Sequence, residues 1–185
     1  MRRKADTEHG GGAIEPKQFG PKGREIMTSF NHKKGRRIVE VREDFTIRAP
    51  GEAVFEKICE PCSLLQWHDG LESCKSSTDD QGRLARHYVM KPVGEHPQVK
   101  MYEVELLRAP NIMTITYIVD AENMPLTDYH AQITVTPLTE TYCRAMIRSR
   151  FLRIETGVAG LDARDIVSDF YIAGLSKLSE IMRRD

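Results

Sequence analysis

Apolar and polar residues alternate along much of this chain, with the two-residue period of a half-buried β-strand. The first such stretch places Val39, Val41, Phe45 and Ile47 on one side. Six further segments predict strands: 71–78, 84–91, 99–107, 112–119, 129–137 and 142–152. Strands joined by tight turns at a spacing of about a dozen residues predict an antiparallel meander.

Two short helices are predicted after the first strand. Pro50 ends that strand, because proline cannot continue a ladder and suits the first turn of a helix. Apolar residues then recur at helical spacing over 54–59, and Ser63–Trp67 forms a second short helical stretch with Ser63 as the candidate N-cap.

The last segment predicts one long amphipathic helix. From Leu161 to Ile181, apolar residues recur every three or four positions, with acidic residues early and basic residues late. We expect a helix of about six turns. It is the only segment large enough to cover the apolar face of the meander, so the fold class is α+β.

Alternation also predicts which side chains face this helix. On the strand 129–137, Tyr129, Ala131, Ile133 and Val135 share the apolar face. On the last strand the inward positions are 143, 145, 147, 149 and 151, which leaves Arg144, Arg148 and Arg150 facing outward.

Charge divides the chain into two parts. It has 185 residues and no formal net charge, but residues 1–37 carry ten basic and four acidic side chains. This segment is rich in glycine and lacks a hydrophobic period, so we expect a flexible basic arm followed by one domain over 38–185. Its cluster Lys33–Arg37 could contact a protein partner or an anionic surface, although a solvated leader is favoured. Met27 is an alternative start.

The sequence predicts a cytoplasmic location. No run reaches the roughly 18–20 apolar residues of a membrane helix, and no apolar segment of a secretory signal follows the N-terminus. The four cysteines need not pair, which fits a reducing compartment. A specific nucleic-acid partner is not expected, because the domain itself carries an excess of acidic residues.

Several short motifs occur in one order over about 140 positions. They are Ile47-x-Ala49-Pro50-x-Glu52-x-Val54-Phe55, Trp67-His68, Gly82-x-Leu84, Pro125-x-x-x-Tyr129-x-Ala131-x-Ile133-x-Val135-x-Pro137 and Tyr171-x-x-Gly174-Leu175-x-x-Leu178. Together they resemble the START-like (SRPBCC) superfamily, in its polyketide cyclase/dehydrase and lipid-transport branch. The resemblance implies a helix-grip fold: a seven-stranded antiparallel sheet curled around the C-terminal helix, with a cavity for small hydrophobic molecules.

The chain departs from the family pattern at three positions. Asp69 replaces a proline, and Phe55 and Ile147 stand where tryptophan is expected. Each departure is expected to change the volume or entrance of the cavity, so no particular ligand carries over.

A ligand cavity needs apolar walls with a few polar groups directed inward. The residues that we expect to line it are Trp67, Arg86, Tyr88, Tyr117, Tyr129, Ile147, Phe151 and Phe170. The tyrosines offer an aromatic body with one hydroxyl, although ordinary core tyrosine is an equal alternative. Arg86 could neutralise a ligand carboxylate or enolate, but an ion pair with Glu103 or Glu105 is favoured.

Two acidic residues give conflicting signals. Glu103 and Glu105 alternate with Tyr102, Val104 and Leu106, which places both carboxylates in solvent. The family pattern instead places an inward glutamate near Glu103. We follow the local alternation.

Two other motifs carry candidate chemistry. His68 could act as a general base, but capping a helix or plain exposure is the favoured reading. Cys59-Glu60-Pro61-Cys62 lacks the parallel βαβ context of a redox pair and the further ligands of a zinc site, so we expect a buried Cys59 and an unpaired loop Cys62. No metal or cofactor is expected.

Three functions remain open. The leading hypothesis is a protein that binds or carries a small hydrophobic molecule without changing it. The second is a cyclase, aromatase or dehydratase that uses His68, Arg86, Tyr88 and Tyr117 to stabilise an enolate and transfer protons. The third is a protein-interaction module that acts through residues 1–37.

Overall fold

A computed structural model describes residues 37–92, 98–154 and 162–184. The elements in chain order are β1 (Arg37–Ile47), α1 (Gly51–Cys59), α2 (Leu64–Trp67), β2 (Leu71–Thr78), β3 (Leu84–Met90), β4 (Lys100–Ala109), a 3₁₀ turn (Pro110–Ile112), β5 (Thr114–Glu122), β6 (Leu126–Thr139), β7 (Tyr142–Arg153) and α3 (Ala163–Ile181). The predicted arm lies outside the described residues except for Arg37, which begins β1.

The seven strands form one antiparallel sheet in the order β1-β7-β6-β5-β4-β3-β2. Strands β2 to β7 pair with their neighbours in sequence, and β1 joins the far edge beside β7. Helix α3 packs against β1, β7 and α2. The structure therefore confirms the predicted α+β helix-grip architecture.

Local signals explain where the helices begin. Helix α1 starts directly after Pro50, whose carbonyl oxygen accepts from Val54 N at 3.2 Å. Helix α3 starts after Asp162, whose carboxylate accepts from Arg164 N at 2.8 Å. Ser63 does occupy the N-cap position of α2, but its hydroxyl accepts from Trp67 Nε1 at 3.3 Å instead of capping the backbone.

Helix α3 differs from its prediction in length and in the side that it buries. It has 19 residues, two fewer than the predicted Leu161–Ile181, and Leu161 lies outside the described residues. Its packed side carries Val167, Tyr171, Leu175 and Leu178. The half-buried Phe170, which the prediction assigned to the core side, lies beside this stripe and borders a cavity.

Strand β7 follows the predicted alternation. Its five inward residues are buried, whereas Arg144, Arg148 and Arg150 are exposed. The packed core lies where β1, β6 and β7 meet α1 and α3, and its fully buried members include Ile47, Val54 and Leu175.

The cysteine prediction is wrong in one respect. Cys59 is buried and free, as expected, but Cys62 forms a disulfide with Cys74 on β2. The chain reverses between α1 and β2, which brings the Cα atoms of Cys62 and Cys74 to 5.6 Å. No signal in the sequence pairs Cys62 with Cys74, and with this disulfide the cysteines no longer support a reducing compartment. Among the described helices, none combines the length and the apolar character that crossing a membrane requires.

Candidate functional site

A cavity of about 440 Å³ lies between the curled sheet, α2 and α3. Its walls are predominantly apolar and include Met90, Met101, Ile115, Val119 and Ile133. The exposed residues Asp169 and Ala173 of α3 border it, which places its opening beside this helix.

Most of the residues predicted from the sequence border this cavity. They are Trp67, Arg86, Tyr88, Tyr117, Tyr129, Ile147 and Phe170, together with His68. Phe151 is not part of the lining. It is 1% exposed and packs beside Tyr129, with ring centroids 5.6 Å apart. Alternation predicts only that Phe151 points inward, and this part of the inner face is filled by core.

Only one of the three departures from the family pattern changes the cavity wall. Ile147 lines the cavity, and the smaller side chain leaves more space than a tryptophan would. Phe55 is buried in the core cluster and does not border the cavity. Asp69 forms a surface ion pair with Lys177 at 3.2 Å.

A chain of four charged side chains stands at one end of the cavity. Arg86 Nη1 donates to Glu103 Oε1 at 2.6 Å, and Arg86 Nη2 donates to Glu105 Oε2 at 2.9 Å. Glu105 also accepts two hydrogen bonds from Arg108 at 2.8 Å. Arg108 in turn reaches the carbonyl oxygen of Cys59 at 3.1 Å, which ties this cluster to the end of α1.

The prediction that Glu103 and Glu105 face solvent is wrong. Arg86 stands directly opposite Glu103 in the β3–β4 ladder, and residues opposite each other in an antiparallel pair point to the same face. Arg86 shares its face with Tyr88, so Glu103 is directed into the cavity. The apolar neighbour Leu106 is 41% exposed, and the β4–β5 ladder has a register shift between Glu105 and Leu107. Alternation was misleading here because Arg86 and Arg108 are charged partners for Glu103 and Glu105, and these ion pairs allow the two carboxylates to be largely buried.

The two carboxylates have opposite electrostatic surroundings. Burial raises the pKa of Glu103 above its ordinary value, against the opposing charge of Arg86. Burial also acts to raise the pKa of Glu105, but the hydrogen bonds and charges of Arg108 and Arg86 outweigh it and hold that pKa below its ordinary value. The charged form is therefore favoured more strongly at Glu105 than at Glu103, which its burial makes easier to protonate.

Four tyrosines surround the same space. Burial raises the pKa of Tyr88 and of Tyr117, so both phenols stay neutral. The hydroxyls of Tyr129 and Tyr171 form a hydrogen bond with each other, and burial raises the pKa of Tyr129 to about 12. The sequence did not place four polar residues at the cavity that border it in the structure: Ser63, Glu103, Asp169 and Tyr171. The family pattern near Glu103 was the available signal for that residue.

His68 is buried, 5% exposed, which differs from the favoured expectation of an exposed or capping residue. Gly70 N donates to Nδ1 at 3.1 Å, so the ring proton is on Nε2, 3.2 Å from the Phe170 carbonyl oxygen that accepts it. Burial lowers the pKa of His68. Both nitrogens are occupied, and the geometry does not favour a general base here.

The part of the chain that the structure describes contains no group of three or more His, Cys, Asp or Glu side chains placed to hold a metal ion. The titratable groups of the described residues that border the cavity are carboxyl, guanidinium, imidazole and phenol groups.

A family model described as polyketide cyclase/dehydrase and lipid transport matches residues 39–183. No curated protein matches the chain. The fold is similar to that of the ZhuI aromatase/cyclase from Streptomyces sp. R1128, with a TM-score of 0.66, 16% identity and coverage of 80% of this chain and 95% of that one.

Two further solved structures share the fold. An uncharacterised protein from Bacillus thuringiensis has a TM-score of 0.64 at 20% identity, with coverage of 78% of this chain and 98% of that one. A START superfamily protein from Mycobacterium smegmatis has a TM-score of 0.57 at 14% identity, with coverage of 81% and 97%. At these identities the likeness concerns the fold alone.

Proposed function

The chain belongs to the polyketide cyclase/dehydrase and lipid transport family, and from this premise we propose that it binds one small, mainly apolar molecule in the cavity between the sheet and α3. The observation that carries the proposal is the cavity itself. It offers about 440 Å³ behind predominantly apolar walls, and the Arg86–Glu103 ion pair marks what we call its polar end. Cavities of this size and lining are typical of small-molecule sites.

The proposal is tested with the neutral fluorescent probe N-phenyl-1-naphthylamine. We expect saturable binding of one probe per chain. Ile147→Trp fills part of the cavity and is expected to weaken binding roughly tenfold or more. Ile38→Trp is the matched control, because Ile38 is 54% exposed and is not part of the cavity wall. Absence of saturable binding to folded wild-type protein would contradict the proposal.

Native mass spectrometry gives a second readout of the same proposal. The purified protein is weighed intact under native conditions and again after denaturation. An adduct that is present only in the native sample would identify the class of the bound molecule directly.

A second candidate function is a cyclase or dehydratase reaction on a poly-carbonyl compound. It is favoured by the position of Glu103, a carboxyl group that faces the cavity beside Arg86 and whose pKa is raised by burial. In a cyclisation, Glu103 would take a proton from the carbon next to one carbonyl. That carbon would then attack a second carbonyl, and the proton would return to the new alkoxide oxygen, so no oxidant is needed.

The two functions are separated by the variant Glu103→Gln. If the protein is an enzyme, turnover of a poly-β-ketone substrate falls sharply while binding of the neutral naphthylamine probe persists. Glu140→Gln is the control, because Glu140 is exposed in the turn between β6 and β7. Turnover that survives in Glu103→Gln would contradict this mechanism.

A further inference from the structure

We propose that the cavity selects neutral ligands that carry a hydroxyl group over carboxylate ligands with the same carbon skeleton. This inference rests on the proposed binding function and names the chemical class that the site accepts. It follows from the way in which the charges at the polar end are already paired.

The positive charge of Arg86 is committed to the protein. Its two terminal nitrogens donate to two different carboxylates, Glu103 and Glu105. Arg86 is 3% exposed, so its guanidinium is held in this arrangement by packing. A ligand anion would have to compete with two protein carboxylates for one arginine, and Arg108 is bound to Glu105. The ion pairs that the sequence favoured for Arg86 are thus present, and its guanidinium is not free for a ligand carboxylate or enolate.

At the polar end, the groups that are left for a ligand are one carboxylate oxygen and two hydroxyls. Arg86 bonds Oε1 of Glu103, and Oε2 receives no hydrogen bond from a described residue. Within the same described ranges, the Tyr88 and Tyr117 hydroxyls also have no hydrogen-bond partner, and all three residues border the cavity. A ligand hydroxyl can donate to Glu103 Oε2 and accept from a tyrosine hydroxyl. Both the ligand and the cavity wall then have their hydrogen-bonding groups paired.

A ligand carboxylate meets the opposite situation. It must give up its hydration on entering apolar walls, and it then stands next to the carboxylate of Glu103 without an uncommitted cation. Like charges at short range in a buried site disfavour each other strongly. The cluster at the polar end is neutral as a whole, so it offers no net charge to compensate.

The test compares three probes of one shape at neutral pH: naphthalene, 2-naphthol and 2-naphthoate. Binding is measured by displacement of N-phenyl-1-naphthylamine from the wild-type protein. We expect 2-naphthol to bind roughly tenfold more tightly than 2-naphthoate, and more tightly than naphthalene. 2-Naphthoate binding as tightly as 2-naphthol, or 2-naphthol no better than naphthalene, would overturn the inference while the binding function stands. Failure of all probes, the naphthylamine included, would overturn both.

Variants then assign the selectivity to the polar end. Glu103→Gln removes the negative charge and is expected to raise the affinity for 2-naphthoate severalfold while it lowers that for 2-naphthol. Tyr88→Phe keeps the charges and removes one hydroxyl, so it is expected to weaken 2-naphthol alone. Glu140→Gln is the charge-matched control. An unchanged ratio of the two affinities in Glu103→Gln would overturn the assignment, and if that variant does not fold, the wild-type comparison and Tyr88→Phe decide it.

Discussion

The imidazole of His68 stacks on the ring of Phe170, with centroids 3.9 Å apart, and its Nε2 lies 3.2 Å from the Phe170 carbonyl oxygen. The two residues are separated by 102 positions in the chain. Through this contact the loop that follows α2 is fastened to the middle of α3. Because both residues border the cavity, the contact fixes one of its walls.

The first prediction concerns the pH dependence of stability. Burial lowers the pKa of His68 below its ordinary value of 6.5, so the unfolded chain takes up a proton near that pH while the folded chain stays neutral. The unfolded state then binds more protons, and the free energy of unfolding falls as the pH drops through 6.5 toward the lower folded-state value. Urea unfolding at a series of pH values measures this loss.

The variant His68→Gln isolates the effect. The variant loses the contacts of the buried imidazole, so it is less stable than wild type near neutral pH. Because glutamine does not titrate, the difference in the free energy of unfolding between wild type and variant narrows in acid. His130→Gln serves as the control, because His130 is exposed on β6. Stability curves of wild type and His68→Gln that run parallel over this range would contradict the assignment.

The second prediction concerns the close approach of α3 to α2. A Cβ atom at Gly174 would lie 3.1 Å from Cζ3 of Trp67 and 3.3 Å from Cδ2 of His68. Neither ring can move aside freely, because Trp67 is hydrogen-bonded to Ser63, and His68 is hydrogen-bonded to Phe170 and Gly70. We expect Gly174→Ala to lower the free energy of unfolding by about 1 kcal/mol or more, despite the helix preference of alanine.

Thermal and urea unfolding check this expectation. Ser176→Ala on the same helix is the control, because it improves helix propensity at a half-buried position outside the cavity wall. Stabilisation by Gly174→Ala would show that the aromatic pair can move aside.

The fold was largely predictable because its signals are local and periodic. The sequence located each strand to within a few residues, and the alternation in β7 placed the exposed arginines correctly. The same alternation gave the wrong orientation in β4, because it assumes that every polar side chain of a strand faces solvent. Glu103 points inward only because Arg86 stands opposite it across the ladder. Likewise, the partner of Cys62 lies 12 positions away, across a chain reversal that no local pattern describes.

The third prediction concerns the disulfide between Cys62 and Cys74. It fastens the turn that precedes α2 to β2, and the next two residues, Ser63 and Leu64, border the cavity. By loop entropy, a cross-link of this separation stabilises the fold by about 3 kcal/mol. We expect a reductant to lower the melting temperature and to weaken binding of the naphthylamine probe.

The double variant Cys62→Ser/Cys74→Ser separates this bond from the other cysteines. It should melt like reduced wild type and should not respond to the reductant. A melting temperature of the wild type that is insensitive to reductant would show that the bond is absent from the protein in solution.

The fourth prediction concerns the coupling between Arg86 and Glu103. Arg86→Met leaves Glu103 in the cavity wall without its hydrogen-bonded cation, whereas Glu105 retains Arg108. Removal of one partner from a buried pair costs about 3–5 kcal/mol, because the remaining charge is left unpaired. Glu103→Gln in the same chain removes that charge, so the double variant should recover about 2 kcal/mol of the loss.

A double-mutant cycle by urea unfolding measures the coupling. Lys57→Met is the comparison, because its partner Glu60 is largely exposed and the pair should contribute much less. Additive effects of Arg86→Met and Glu103→Gln would mean that the two side chains do not interact in solution. One terminal nitrogen of Arg86 would then be available to a ligand anion, although the other is bound to Glu105. The selectivity for neutral ligands would lose much of its physical basis, so this cycle and the three-probe comparison must agree.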